Sequence, residues 1–239
     1  MPANSAPTDP SQNLLETAGL STHDLDRVLS RLQGPGIDLA DLYFEHSRGE
    51  SWSLEDGIVK EGGFGIEQGV GVRAVAGEKT GFAFADDFSL HALLDAADAA
   101  RAIGRQGQSR DAHVAPAGVA TARYAHDDPL ASLPTARKLE LLRAIDARVR
   151  RADPRVKQVM ASLVGRYTRV AVATGDGALH HDVRPLVRLN VSVVVEQDGR
   201  RETGSYGGGG RFGYQYFLED DRAARYADEA LRQALVNLE

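Results

Sequence analysis

The spacing of apolar positions changes several times along the chain. Leu25, Val28, Leu29 and Leu32 recur at helical spacing behind Ser21 and Asp24, a capping-box pair, and Gly34-Pro35-Gly36 stops the run. From Leu42 the period drops to two. Leu42, Phe44 and His46 alternate with Tyr43 and Glu45, and Trp52 and Leu54 with Ser51 and Ser53. Ile58, Lys60, Gly62, Phe64 and Ile66 share one face of the next stretch. Val70, Val72, Ala74 and Ala76 predict a further strand, and Phe82 with Phe84 the last of the series. Turns are expected at Arg48-Gly49-Glu50, Asp56-Gly57 and Gly77-Glu78. Ser89 then caps a second helix with Leu90, Leu93, Leu94, Ala97 and Ala100 on one side.

Residues 105–133 lose all period and are rich in Gly, Ala, Pro and Asp. Structureless stretches of that length are uncommon inside compact domains, so a boundary or long surface connection is expected there. A second series follows. Leu139, Leu142, Ile145 and Val149 predict a helix between Pro134-Thr135 and Pro154. Strands are expected over about 156–164 and 167–174, then a turn at Asp176-Gly177. Val187, Leu189, Val191, Val193 and Val195 alternate with Arg188, Asn190, Ser192 and Glu196. Asp198-Gly199 turns into a strand over 200–206, and Ala227, Leu231, Ala234, Leu235 and Leu238 predict a closing helix. The class is α+β, antiparallel sheets with packed helices in two successive helix–strands–helix blocks. The expected division is a flexible tail over 1–20, a first block over 21–104, a connection over 105–133 and a second block over 134–239.

Composition narrows the chemistry. The chain has 239 residues, a net charge of −6 and no cysteine, which leaves out disulfide scaffolds, thiol catalysis and cysteine-ligated zinc within it and suits a reducing cytoplasm. No apolar run approaches the ~18–20 residues needed to cross a bilayer, and Met1–Asn13 lacks the basic-then-apolar order of a leader. A cytoplasmic protein without membrane partners is expected. The dense basic cluster is Arg148, Arg150, Arg151, Arg155 and Lys157 at a helix end, where the helix dipole favours cations. With an acidic balance elsewhere, no direct nucleic-acid partner is expected.

The seven histidines (His23, His46, His91, His113, His126, His180 and His181) form no HExxH and no helical pair at ligand spacing, so no metal site is expected in this chain. Asp86-Asp87 and Asp127-Asp128 sit where a helix or turn begins, where carboxylates serve free backbone N–H groups. No GxSxG nucleophile motif occurs. The conspicuous stretch is Gly207-Gly208-Gly209-Gly210-Arg211-Phe212-Gly213-Tyr214, with neither the Lys-Ser/Thr of a phosphate loop nor a parallel βαβ setting. It reads as a flexible turn leaving a strand, or as a backbone surface that meets a peptide, an anion or a partner subunit. Arg184 and Arg188 on one strand and Arg73 on another either grip a substrate carboxylate or pair with Asp and Glu inside the fold. The candidate contact set is therefore Gly207, Gly208, Gly209, Gly210, Arg211, Tyr214, Arg184, Arg188 and Arg73, with no catalytic residue among them.

Six stretches in order resemble the TldD/PmbA family, also called modulators of DNA gyrase. They are Asp41 to Phe44, Glu50 to Asp56, Gln68 to Ala74, Gly77 to Ala83, Asp182 to Leu189 and Gly207 to Phe217, followed by Ala234 to Leu238. The run from Gly71 to Gly81, Gly-Val-Arg-Ala-x-x-Gly-Glu-Lys-Thr-Gly, is similar to the TldD branch. The resemblance implies a zinc metallopeptidase of small or unfolded peptides, working with a PmbA/TldE-like paralogue as a heterodimer or as a homodimer. It also implies an HExxxH helix and a cysteine as the source of zinc ligands and catalytic glutamate. In the family that helix follows shortly after the position of Glu239, and neither feature occurs here, so no catalytic residue carries over. The expectation is the N-terminal, non-catalytic half of such an enzyme, with zinc held outside this chain. The alternative from the residues alone is an autonomous binding module built on the Gly207–Gly210 loop.

Overall fold

A computed structural model describes residues 14–104 and 124–239. Most of the expected connection over 105–133, and the tail up to residue 13, lie outside the described residues. In chain order the elements are α1 (Leu14–Thr17), α2 (Thr22–Leu32), β1 (Leu39–Glu55), β2 (Ile58–Ala76), β3 (Lys79–Ala85) and α3 (Leu90–Gly104). There follow α4 (Thr135–Ala152), β4 (Val156–Thr174), β5 (Leu179–Gln197), β6 (Arg200–Gly210), 3₁₀ turns at Tyr214–Phe217 and Glu219–Asp221, and α5 (Arg222–Leu238). Six antiparallel strands are hydrogen-bonded in the order β3-β2-β1-β4-β5-β6. The α+β class with helices packed on antiparallel sheet is as the periodicity predicts.

Two expected turns are absent. Arg48-Gly49-Glu50 continues β1, and β4 runs unbroken where two strands were expected. Polar residues at 48–50 read as a turn only if the strand ends there; here Glu50 instead has a buried partner, described below. The turns at Asp56-Gly57 and Asp198-Gly199 form, each with both residues at positive φ, the two-residue geometry that follows the twist of a hairpin. Part of the expected tail is also structured: α1 carries Leu14 and Leu15, which are buried with Leu20.

The chain divides into two compact units that do not follow chain order. The first takes in the described residues of Met1–Ser47, Ile66–Arg123 and Thr168–Val183, the second Arg48–Gly65, Tyr124–Tyr167 and Arg184–Glu239. In the first unit α2 and α3 cover a core of Leu42, Phe44, Val70, Val72, Ala171 and Ala173 together with Leu25, Val28, Leu32, Leu93 and Ala97. Ser21 and Asp24 close the capping box: the Ser21 amide donates to Asp24 Oδ2 at 3.0 Å and the Asp24 amide to Ser21 Oγ at 3.2 Å. Arg31 bridges α2 to α3 through both oxygens of Asp98, at 2.7 and 2.8 Å.

In the second unit α4 and α5 cover Val159, Ala161, Leu163 and the odd positions of β5 from Val187 to Val195. The inner face of α5 is mostly small: Ala223, Ala227, Ala230 and Ala234, with Leu231 and Leu238. That lets the helix approach β6 so closely that a Cβ on Gly204 would lie 2.2 Å from both the Ala230 oxygen and the Ala234 nitrogen. Trp52 of β1 lies over Gly62 of β2, where a Cβ would meet its ring at 2.7 Å. Gly204→Ala is expected to lower stability by roughly 1–3 kcal/mol through overpacking against helix backbone. Gly65→Ala, with no atom within 4 Å of the added methyl, should stay within about 0.5 kcal/mol of the parent. Urea unfolding of the two variants checks the contrast, and equal losses would contradict the close helix approach.

Candidate functional site

On α4 the apolar stripe expected at Leu139, Leu142, Ile145 and Val149 is shifted by one residue at its start: Lys138 and Leu141 are buried and Leu139 is only half-buried. Lys138 is 2% exposed. It stands in the first turns of the helix, where the dipole disfavours a cation, so its charge needs a partner. Glu50 of β1 supplies it, accepting a hydrogen bond from Lys138 Nζ. The same nitrogen donates to the Leu130 carbonyl at 2.8 Å and sits 4.7 Å from the centre of the Tyr214 ring. Beside this pair, Arg48 donates to Asp128 at 2.8 Å and lies over the Tyr167 ring at 5.4 Å. Asp128 also accepts from the Leu130 amide at 3.0 Å, the turn role expected for the Asp127-Asp128 pair.

Tyr214, expected as a contact residue, is fully buried. Its ring fills the space above Gly165, where a Cβ would lie 2.1 Å from the Tyr214 hydroxyl. Its amide donates to Ser132 Oγ at 2.9 Å, tying the 3₁₀ turn to the chain just before α4. A side chain enclosed in this way anchors the segment after the glycine run and is not placed to touch a ligand. Burial first, and the Glu50 carboxylate second, push the Tyr214 hydroxyl far above its ordinary range.

Gly207–Gly210 is strand, not loop, paired with β5 from Asn190↔Gly207 to Val187↔Gly210. There is little space for side chains. A Cβ on Gly209 would lie 1.9 Å from the Val187 oxygen, one on Gly207 2.5 Å from Asn190 Oδ1, and one on Gly208 2.5 Å from the Tyr226 hydroxyl. A Cβ on Gly210 would lie 2.5 Å from the Phe212 ring. Glycine is needed here for close strand packing, and the anion-cradling loop considered from the sequence is not formed. The remaining candidates are not gathered at one place. Arg73, in the first unit, donates from Nε and Nη2 to Asp41 Oδ2 at 2.8 and 2.6 Å, the internal pairing. Arg211 donates to the Pro185 carbonyl at 3.3 Å and stacks over Tyr124 at 5.3 Å. Arg184 belongs to the second unit.

Arg188 and Gly207 do meet, in a shallow groove of about 510 Å³ on the second unit, away from its helices. Its floor is a rail of hydroxyls and amides: Ser53, Ser162, Asn190, Ser192 and Ser205, with Lys60 and Met160 at the sides. Ser205 donates to Ser192 at 2.9 Å, and Arg188 Nε to Asn190 Oδ1 at 2.8 Å. These groups can donate to and accept from peptide groups, and no histidine lines the groove to activate a serine. Sequence reading missed the rail because serines at alternate strand positions also fit an ordinary solvated face. It missed Lys138 despite a signal: 138, 141, 142, 145 and 149 form one helical stripe.

The architecture is α+β, helices packed on antiparallel sheet and gathered into two compact units. Residues 40–104 match domain 1 of the PmbA/TldA metallopeptidases and residues 128–238 match their central domain. The chain belongs to the PmbA/TldD family. It is 49% identical over 234 residues to a metalloprotease TldD homolog of Haemophilus influenzae, covering 95% of this chain and 48% of that protein. To a TldD homolog of Buchnera aphidicola from Schizaphis graminum it is 39% identical over 236 residues, with the same coverage. The chain thus spans about half the length of the curated relatives it matches. Its fold is shared with TldE of Thermococcus kodakarensis at a TM-score of 0.68 and 12% identity, over 90% of this chain and 47% of that one. It is also shared with a protein of Thermotoga maritima described as a modulator of a DNA gyrase, at 0.71 and 14%, over 89% and 47%.

The family name implies a metal. Among the described residues no three His, Asp or Glu side chains gather in a way that could hold one, and the sequence has no cysteine, so these residues do not fit a zinc site. Among them, too, no helix is long and apolar enough to cross a membrane.

The buried pair generates two expectations. Lys138→Met or Glu50→Leu alone leaves an uncompensated buried charge and should cost roughly 3–5 kcal/mol in urea unfolding, while the double variant should recover most of that loss. Additive losses would show that the two charges do not depend on each other. For Tyr214 the unfolded chain releases its proton near pH ~10 and the folded chain does not. The stability it contributes is therefore whole below that pH and drains away above it. Ultraviolet titration should show Tyr214→Phe with the same tyrosinate absorbance as the parent up to the alkaline unfolding transition. A lost titration step near pH ~10 would contradict the buried placement.

Proposed function

We propose that this chain is the N-terminal, non-catalytic portion of a TldD-type zinc metallopeptidase of small or unfolded peptides. In that role it walls the peptide chamber and contacts a PmbA/TldE-like paralogue or a second copy, in the cytoplasm. The observation that carries the reading is the consecutive match to domain 1 and the central domain, with 49% identity confined to 48% of the relative. The hydroxyl and amide rail of the second unit supports it, since such groups read peptide backbone without demanding a particular side chain. Zinc and its ligands belong, in this reading, to sequence outside the chain, and no chemical step is assigned to residues within it.

Purified alone, the 239-residue chain is expected to hold no stoichiometric zinc and to leave unfolded peptide substrates uncut. Mixing it with the complementary portion of the Haemophilus influenzae relative, with and without a paralogue, should give zinc-dependent cleavage. One tightly held zinc per isolated chain, or cleavage by it alone, would sink the assignment. So would a complemented mixture that stays inactive in both arms.

A further inference from the structure

The first unit carries a second groove, of about 380 Å³, whose shape is set by alternation on three strands. On β2 the positions flanking the buried Val70 are Gly69 and Gly71, so the floor there bears no side chain. Tyr43 and Glu45 of β1 rise on one side, the Tyr43 hydroxyl donating to Glu45 at 2.8 Å. Phe82 and Phe84 of β3 rise on the other, opposite Arg73 and Gly71 in the strand register. The glycines keep this trough open. A Cβ on Gly71 would already lie 3.1 Å from the Phe82 ring, and one on Gly69 3.2 Å from the Ala85 carbonyl.

Two features define what the trough takes. Phe84 is 79% exposed and Phe82 56%, an aromatic pair on the face of β3 opposite Ala83 and Ala85, which pack against the core. The lining includes three carboxylates, Glu45, Glu67 and Asp86, and no Lys or Arg. An aromatic wall with an acidic rim repels anionic lipid and nucleic acid. It disfavours a second copy as well: the chain carries a net charge of −6, and a two-fold contact through this patch would bring the two rims together.

We propose that the trough between Tyr43 and Phe82–Phe84 is a docking site for an extended polypeptide segment in which Lys or Arg alternates with aliphatic or aromatic residues. One row of the segment's side chains lies on the glycine floor against the phenylalanines, and its cations reach Glu45, Glu67 and Asp86. Period-two alternation matches the occupant to the strands beneath it. This site stands apart from the peptidase assignment, because binding here is a property of the isolated chain whether or not it serves an enzyme.

The test uses the whole chain and two end-capped, fluorescein-labelled nine-residue probes, one alternating lysine with phenylalanine and one alternating glutamate with phenylalanine. Fluorescence anisotropy should show saturable binding of the lysine probe and at least tenfold weaker binding of the glutamate probe. Phe84→Ser and Glu67→Lys, both at exposed positions, should each weaken the lysine probe about tenfold. Glu140→Lys changes net charge equally on the second unit and should leave binding within about twofold. Raising salt from 50 to 300 mM should weaken binding without abolishing it, since the aromatic contact remains. Equal binding of the two probes, no binding of the lysine probe, or equal effects of Glu67→Lys and Glu140→Lys would each overturn the proposal.

Discussion

Strand length is the constraint from which most of this architecture follows. β1, β2, β4 and β5 hold 17, 19, 19 and 19 residues, where strands of ~5–6 are usual. A strand of 19 residues extends about 60 Å, while a helix of 18 residues such as α4 extends about 27 Å. One pair of helices cannot shield one such strand. The same strands therefore feed two hydrophobic cores, the first closed by α2 and α3 and the second by α4 and α5. The buried apolar positions mostly keep one parity along a strand: even on β1 from Ala40 to Leu54, odd on β4 from Val159 to Ala173 except at Val170. Compact units assembled from interleaved segments are the direct result, since cutting by core cuts every long strand.

Within the second unit, the polar cluster around Lys138 ties together parts that apolar packing alone would leave free to slide. Its members come from β1, from the chain before α4, from α4 itself and from the 3₁₀ turn after β6. A charge removed from water has few acceptable partners, so Glu50 fixes the register of α4 against β1 more sharply than another leucine would. Tyr214 and Gly165 extend the same logic: a large ring on one element requires an empty position on another.

Period and turn chemistry made the elements legible. Ser21 with Asp24, Asp56-Gly57, Asp198-Gly199 and the odd valines of β5 each act through neighbours in sequence, and each was placed correctly. The errors share a cause. Arg48-Gly49-Glu50 looked like a turn and Gly207–Gly210 like a mobile loop because their partners, Lys138 and Asp128 in one case and β5 with Tyr226 in the other, lie far away along the chain. Tyr214 likewise reads as a contact residue from the sequence because the empty position that receives it, Gly165, is nearly fifty residues earlier. Family membership was legible from ordered short stretches, whereas the hydroxyl rail and the aromatic trough appear only when strands are set side by side.

The packing of Trp52 over Gly62 has a practical consequence. The sequence contains one tryptophan, and it lies in the second unit against that unit's core. Indole emission, excited selectively, is therefore a local optical gauge of one core, while far-ultraviolet dichroism averages over helices and strands of both. Superimposable melting curves from the two signals would mean that the shared strands bind the cores into a single cooperative transition. Separated curves would give the order in which the two halves of each long strand let go.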